Sequence, residues 1–327
     1  MVFSVIMPVY NKAPYLARAV ESVLSQEHLA ELIAIDDGST DGSGELLDTL
    51  AKRDHRLVVV HQKNAGVSAT RNRGLSLATG DYICFLDGDD LLDHGFFGKA
   101  YGVIEDSLPD ITFFAYRKLR DNGVCVDIPS PTRGTVTTAD ALKSCYFHQI
   151  ETGYLGCASN KLVKASLAKS CLFDTSLRLA EDLDYWVKVL DKAEVCTFSE
   201  LYAFTYVQSV AGSSCFDKVD YPSQLRVRVG YKKLLEKKVS GFFAEDLLRE
   251  ISRFVYYSAA DACLISKAEG KAVVRSLFAG DADRKKLYTK GLGVFQKTVV
   301  WLIKHGIYSA AVALIRAKQR FRGQRNV

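Results

Sequence analysis

The chain has 327 residues, 48% of them hydrophobic and 25% charged, with a formal net charge of +5. These are ordinary globular values and exclude a disordered, collagen-like or cysteine-framework protein; the length suits one large domain with an appendage, or two domains. The 8 cysteines are scattered without a Cys-x-x-Cys pair, which argues against a zinc knuckle or thioredoxin-like site and for reduced thiols.

The first third alternates short apolar runs with helical periodicity. Strands are expected at Phe3–Met7, Leu32–Ile35, Leu57–Val60 and Tyr82–Leu86. Helices are expected between them at Tyr15–Gln26, Gly44–Arg53 and Val67–Ala78. This β-α-β-α-β-α-β order implies a parallel sheet with helices on both faces. The strands are continuous apolar runs, as buried parallel strands are. Beyond them, Ile111 to Ile128 reads as a hairpin turning at Asp121-Asn122-Gly123. Thr138–Phe147 reads as a helix with Thr138 as its N-cap, Glu181–Leu190 as another, and Tyr202–Val207 as a strand. After a boundary near Asp217–Pro222 only helical periodicity remains, clearest at Gln224–Val239, Ala244–Ser266 and Lys271–Phe278.

In such sheets ligands bind beyond the carboxyl ends of the strands. Three polar loops fall there: Pro8-Val9-Tyr10-Asn11, Asp36-Asp37-Gly38-Ser39-Thr40-Asp41 and Asp87-Gly88-Asp89-Asp90. The last packs three carboxylates around one glycine. Like charges so close raise one another's pKa unless a cation neutralises them. Hard oxygens suit Mg²⁺ or Mn²⁺, which bind through one or two carboxylates plus substrate phosphates. Gly88 is expected to let the backbone turn and approach a ligand. An acidic turn leading into a helix is the plain alternative.

With its loops assembled, the chain resembles the family-2 glycosyltransferases, inverting enzymes of the GT-A fold. The likeness rests on Ser4–Asn11, Ile35–Asp41, Asn64–Gly74, Phe85–Asp90, Asn160-Lys161-Leu162 and Glu181–Trp186, in the family's order. It implies a GT-A nucleotide-diphospho-sugar transferase fold, a Rossmann-like, mostly parallel sheet with helices on both faces. It covers roughly the first two-thirds of the chain. The expected division is a catalytic domain over 1–217, with a nucleotide-binding half (1–110) and an acceptor-side half (111–217), then a helical region over 218–327 with a basic amphipathic tail.

The resemblance also assigns roles. Asp37 receives a hydrogen bond from a uracil ring, Pro8 and Tyr10 pack around the base, and Arg71 lies near the nucleotide. Asp87 and Gly88 flank the ribose, and Asp89 coordinates Mn²⁺ or Mg²⁺. Asp90 has no clear role beyond capping the turn. Asp182 is the general base, supported by Glu181, with Asp184 at the surface. Taken alone, Glu181-Asp182 is an acidic first helical turn favoured by the macrodipole. Many relatives carry a His after the next strand, where this chain has Gln208. Lys161 is a further candidate near the site, or a solvated charge.

The implied reaction moves a hexose from a nucleotide-sugar, expected to be a UDP-sugar, to a hydroxyl of a glycan or lipid-linked oligosaccharide in surface polysaccharide synthesis. Acceptor recognition is expected between Ile111 and Ser176. A nucleotidyltransferase is disfavoured because no Gly-rich, basic phosphate loop follows the first strand; a non-catalytic sugar-nucleotide or glycan-binding scaffold is disfavoured by the presence of both Asp89 and Asp182. No Asp or Glu follows Asp283, whereas lysines and arginines recur from Arg284 to Arg325. The apolar segments Val294–Trp301 and Ile307–Ile315 lie within that tail, which reads as an anchor on an anionic membrane surface, or as a hairpin packing on the protein or on a second copy. No nucleic-acid module accompanies the charge. Met1–Tyr10 lacks the basic leader and apolar length of a signal peptide. A cytoplasmic enzyme, peripheral on the inner face of the membrane, is therefore expected.

Overall fold

The computed structural model describes residues 1–120, 122–207, 221–239, 294–305 and 309–315. The chain divides into two compact units, Met1–Phe216 and Asp217–Val327.

The first unit runs β1 (Phe3–Val9), α1 (Ala13–Leu24), β2 (Leu29–Asp36), α2 (Ser43–Ala51), β3 (Leu57–His61), α3 (Val67–Leu77) and β4 (Tyr82–Phe85). Then come β5 (Leu91–Leu92), α4 (Phe96–Ile104), β6 (Ile111–Leu119), β7 (Cys125–Ile128), β8 (Gly134–Thr137) and α5 (Thr138–Thr152). β9 (Lys161–Lys164), α6 (Ala165–Lys169), α7 (Glu181–Lys192) and β10 (Val195–Val207) complete it. The sheet order is β3-β2-β1-β4-β9-β6-β10-β5.

β3, β2, β1 and β4 are mutually parallel, as their uninterrupted apolar runs lead one to expect. The order reverses at β1, which lies between β2 and β4, so the loops after β1, β2 and β4 converge at a topological switch point. Beyond β4 the sheet is mixed. β9 is antiparallel to both β4 and β6, β6 and β10 are parallel, and β5 pairs antiparallel with β10. The four-residue β9 stands between helices and carries no alternation of its own, so the sequence pattern did not reveal it.

The pleat sends alternate residues to opposite faces. Phe3 stacks on Phe97 of α4 at 4.7 Å. On the other face, a Cβ added to Gly74 of α3 would lie 2.3 Å from Ile6 Cγ2, so helix and strand touch backbone to side chain. Ile6 pairs with Phe85, which shares that face and meets Phe173, Tyr185 and Trp186 at 5.3, 5.7 and 6.2 Å between centroids. This aromatic cluster seats α7 against the end of β4.

Two sequence expectations change locally. Thr138 does not cap α5; its hydroxyl donates to the Ala193 carbonyl, and Thr137 Oγ1 instead accepts from the Asp140 N–H at 3.3 Å. Gly88 is not in the left-handed region, and a Cβ there would meet Val9 Cγ2 at an ordinary 3.4 Å, so no special turn geometry demands glycine.

In the second unit α8 (Tyr221–Lys238) buries Val227, Tyr231, Leu234 and Leu235 on one stripe. α9 (Val294–Lys304) and the helical residues 309–315 follow. Their apolar residues Val299, Val300, Ile303, Ala311, Val312 and Ile315 are buried, while Val294, Trp301 and Leu314 are exposed. Among the described residues no helix is long and apolar enough to cross a membrane. The expected helices at Ala244–Ser266 and Lys271–Phe278 lie outside the described residues, as does Gln208.

Gly74→Ala should destabilise the protein by about 1–3 kcal/mol, because the added methyl overpacks Ile6. Thermal or urea unfolding reads this directly, and an unchanged melting temperature would show that α3 is not pressed on β1.

Candidate active site

A cleft of about 600 Å³ opens at the carboxyl ends of β1, β2 and β4. It lies within the range of small-molecule sites. Pro8, Tyr10, Asp37, Arg71, Asp87, Gly88, Asp89, Asp90, Glu181 and Asp182 all line it. Residues from the two ends of the resemblance therefore meet in one place.

The loop after β1 is tied to the loop after β2 by its backbone. The Asn11 N–H donates to Ser39 Oγ, the Lys12 N–H to Ser43 Oγ at 2.9 Å and the Ala13 N–H to Asp41 Oδ2 at 3.0 Å. In return Asn11 Oδ1 accepts from the Thr40 N–H at 2.8 Å. Asn11 adopts φ 53°, which an Asn tolerates better than most residues. The run Ser39-Thr40-Asp41 is thus a clasp rather than a ligand set. Tyr10 stays half exposed at the mouth, its ring open to a flat partner.

Asp37 is buried, and its carboxylate is already engaged. Oδ1 accepts from Gln62 Nε2 at 2.7 Å and the Ala65 N–H at 2.8 Å, and Oδ2 from the Gly66 N–H at 2.8 Å. It holds the loop that leads into α3. A carboxylate offers about four acceptor sites, so Oδ2 keeps capacity for a further donor in the cleft.

Arg71, expected near the nucleotide, lines the cleft. It is 2% exposed and joins carboxylate groups far apart in sequence. Nη2 donates to Asp87 Oδ1 at 2.9 Å and Nη1 to Asp182 Oδ1 at 2.7 Å, with Glu181 Oε1 at 3.5 Å. The guanidinium also stands 5.4 Å from the Phe173 ring centroid. Three carboxylates thus share one buried cation. Burial is the largest influence on Asp182 and pushes its carboxyl up to about 8, helped by the charges of Glu181 and Asp87 against the pull of Arg71. Glu181 is raised for the same reason, chiefly its burial.

At the acidic turn each carboxylate has a different partner. Asp87 meets Arg71, and Asp89 Oδ2 meets Lys12 Nζ at 2.5 Å. Asp90 is buried and accepts the Val207 N–H at 2.9 Å, which fastens the turn to the end of β10. Burial, then the charges of Asp87 and Asp89, raise its pKa well above the usual range. Asp184 pairs with Lys188 at 2.6 Å and does not line the cleft.

Lys161 is not a solvated charge. It is 1% exposed, its ammonium donating to the Cys157 carbonyl at 2.5 Å and to Asn160 Oδ1 at 2.6 Å, 4.6 Å from the Trp186 ring centroid. It staples the loop that forms the cleft's far wall. Burial lowers its pKa to about 8.

Asp89 lines the cleft with part of its side chain exposed, and hard oxygens of Asp89 and Asp87 suit Mg²⁺ or Mn²⁺. Among the described residues no three His, Cys, Asp or Glu side chains converge to hold an ion by themselves. Such a donor set fits an ion completed by substrate phosphates and water.

Comparison with known proteins agrees with this architecture. The profile of "Glycosyl transferase family 2" matches residues 4–124. The chain is 32% identical over 194 residues to the uncharacterized glycosyltransferase EpsJ of Bacillus subtilis strain 168, covering 58% of this chain and 56% of that protein. It is 30% identical over 191 residues to the putative teichuronic acid biosynthesis glycosyltransferase TuaG of the same organism, covering 58% of this chain and 72% of TuaG. The crystal structure of S. aureus TarS 1–349 matches with a TM-score of 0.65 at 16% identity, over 98% of this chain and 92% of that one. The fold is accordingly the GT-A fold of nucleotide-diphospho-sugar transferases. The chain belongs to glycosyl transferase family 2. It spans about half the length of EpsJ, at 56%.

Arg71→Met should cost about 3–5 kcal/mol near neutral pH, because Asp87, Glu181 and Asp182 lose their buried counter-ion. Urea denaturation reads the loss, which should shrink as the pH falls and the carboxylates take up protons. A pH-independent loss below about 1 kcal/mol would mean that Arg71 acts only as a surface cation does.

Proposed function

We propose that this protein is a metal-dependent, inverting glycosyltransferase that takes a hexose from a UDP-sugar and passes it to a hydroxyl of a glycan or lipid-linked oligosaccharide in surface polysaccharide synthesis. The observation that carries the reading is the Arg71 bridge, which brings Asp182 into the same cleft as Asp87, Asp89, Asp37 and Tyr10. A base and a donor site are separable in sequence and useless apart. TarS, whose fold this chain shares, has been crystallised with UDP and with UDP-GlcNAc, which supports a uridine nucleotide as donor.

In this reading Tyr10 and Pro8 flank the base, and Asp37 Oδ2 accepts from its ring N–H. Asp87 faces the ribose. Asp89, with the diphosphate, holds Mn²⁺ or Mg²⁺, which when bound offsets the charge of the leaving diphosphate. Asp182 Oδ1 is held by Arg71, which leaves Oδ2 for the acceptor hydroxyl. That oxygen takes the hydroxyl proton as the acceptor attacks the anomeric carbon. The diphosphate departs from the opposite face, so the configuration inverts. A carboxyl raised to about 8 is a stronger base than an ordinary aspartate, at the expense of the fraction ionised at neutral pH.

Asp182→Asn should retain Mn²⁺-dependent UDP binding by calorimetry and lose transfer by about 10²–10⁴-fold. Full transfer activity in that variant overturns the assigned base. Since only ionised Asp182 accepts a proton, kcat should fall as the pH is lowered through about 8. A flat profile down to the ordinary aspartate range would remove Asp182 from the rate-limiting proton transfer.

The basic tail fits an acceptor held at an anionic membrane surface. The apolar stripe of α9 is buried, so among the described residues of the tail Val294, Trp301, Leu314 and the cation Lys297 are left to meet lipid. The full chain should sediment with vesicles containing phosphatidylglycerol, less so at high salt, and Trp301→Ser should weaken that binding. Equal sedimentation with neutral vesicles would reject the electrostatic part.

A further inference from the structure

The cleft is electrically lopsided. Its donor end gathers Asp37, Asp87, Asp89, Glu181 and Asp182 against Arg71 and Lys12. The side next to β6 and β10 is lined by Tyr116, Lys118, Thr152, Gly153, Cys157 and Tyr206, and the acid beside it, Asp90, is engaged by the Val207 N–H. Burial keeps the Cys157 thiol protonated, with its pKa raised to about 11.

Lys118 lies on β6, where alternate residues face opposite ways. Arg117, on the opposite face, is fully compensated. It pairs with Asp93 at 2.5 Å and Asp127 at 3.7 Å, and lies 4.0 Å over the Tyr202 ring. Lys118 has no such partner: no carboxylate among the described residues lies within ion-pairing distance of it. Its ammonium donates to the Thr152 carbonyl at 3.0 Å and sits 5.6 Å from the Tyr116 ring centroid. An ammonium carries three donors, so two remain for a ligand. Arg120, the exposed residue that follows β6, adds a second positive charge near it. Across the strand pair Lys118 is in register with Tyr206, which also lines the cleft, while Tyr116, two residues before Lys118, is buried and stacked on Phe204 at 5.2 Å. Burying an uncompensated ammonium is costly, and that cost lowers the Lys118 pKa, with Arg120 contributing to the same direction. Bound anion would relieve both effects.

We propose that Lys118, with Arg120 near it and Tyr206 in register across the strand pair, is an anion subsite for the acceptor. The acceptor of this enzyme then carries a carboxylate or phosphate group near the hydroxyl that is glycosylated. The inference rests on the glycosyl-transfer reading and specifies its substrate class: an acidic glycan rather than a neutral one. The Tyr206 ring, which lines the cleft, suits the apolar C–H face of a sugar ring, the cation suits its acidic substituent, and the acids at the donor end repel that substituent and orient the acceptor.

The test uses the full chain saturated with UDP and Mn²⁺, which fills the donor diphosphate site. Methyl glucuronide, glycerol 1-phosphate and neutral methyl glucoside are then titrated by calorimetry or ligand-observed NMR. At least one anionic probe should bind about tenfold or more tightly than methyl glucoside, the worth of a charge-assisted hydrogen bond. Whichever anion binds more tightly distinguishes a uronate from a phosphate. In Lys118→Met the anionic preference should fall to about one, and in Lys118→Arg it should survive. Equal binding of all three probes by the wild type, or an undiminished anionic preference in Lys118→Met, overturns the proposal. Failure of UDP to bind in the first step is a separate result, and it counts against the donor reading instead.

Discussion

One guanidinium organises the cleft. Arg71 is buried beneath α3 and neutralises part of the charge of Asp87, Glu181 and Asp182, which come from chain segments about a hundred residues apart. Without that cation the three carboxylates could not share a desolvated site in ionised form. Arg rather than Lys meets the need, because a planar fork engages two acceptors at once and stays charged when buried. One cation against three acids leaves a surplus of negative charge. Burial first, and then that surplus, raise the Asp182 carboxyl against the pull of Arg71.

The bridge works only because the scaffold holds both of its ends. Gly74 brings α3 hard against Ile6 of β1, which fixes where Arg71 can reach. Phe85, Phe173, Tyr185 and Trp186 seat α7, and so the first turn that carries Asp182. Lys161 staples the wall loop beside it through backbone carbonyls. Apolar packing supplies position, and buried charge supplies reactivity. The clasp between the loops after β1 and β2 does the same for the donor end, with two hydroxyls, one carboxylate and one amide oxygen accepting from backbone N–H groups that would otherwise be unpaired.

The cleft's charge is also divided along its length. Acids and their cations crowd the end where a diphosphate and its ion would sit, while the side next to β6 and β10 offers Lys118 in register with Tyr206. A sugar donor and an acidic acceptor placed in those two environments would approach each other across the ionisable Asp182. Orientation then comes from electrostatics as much as from shape.

The parallel half of the sheet and the loops at its carboxyl edge were legible in the sequence, because they depend on local signals: unbroken apolar strands, helical periodicity, and polar turns at the crossings. The ordered motifs likewise marked Asp37, Asp87, Asp89 and Asp182 as residues of one site. What each of them touches was not legible. Asp37 spends most of its carboxylate on the loop at Ala65–Gly66, Asp89 pairs with Lys12, and Asp90 fastens to Val207. Arg71 was expected near the nucleotide and Lys161 either near the site or as a solvated charge, but nothing in their neighbours in sequence showed that both would be buried. Partner choice among charged groups depends on distances of a few Å in a desolvated interior, between residues whose separation along the chain carries no information about them. Local chemistry therefore determined the elements and the candidate residues; the tertiary structure alone decided which carboxylate faces which cation.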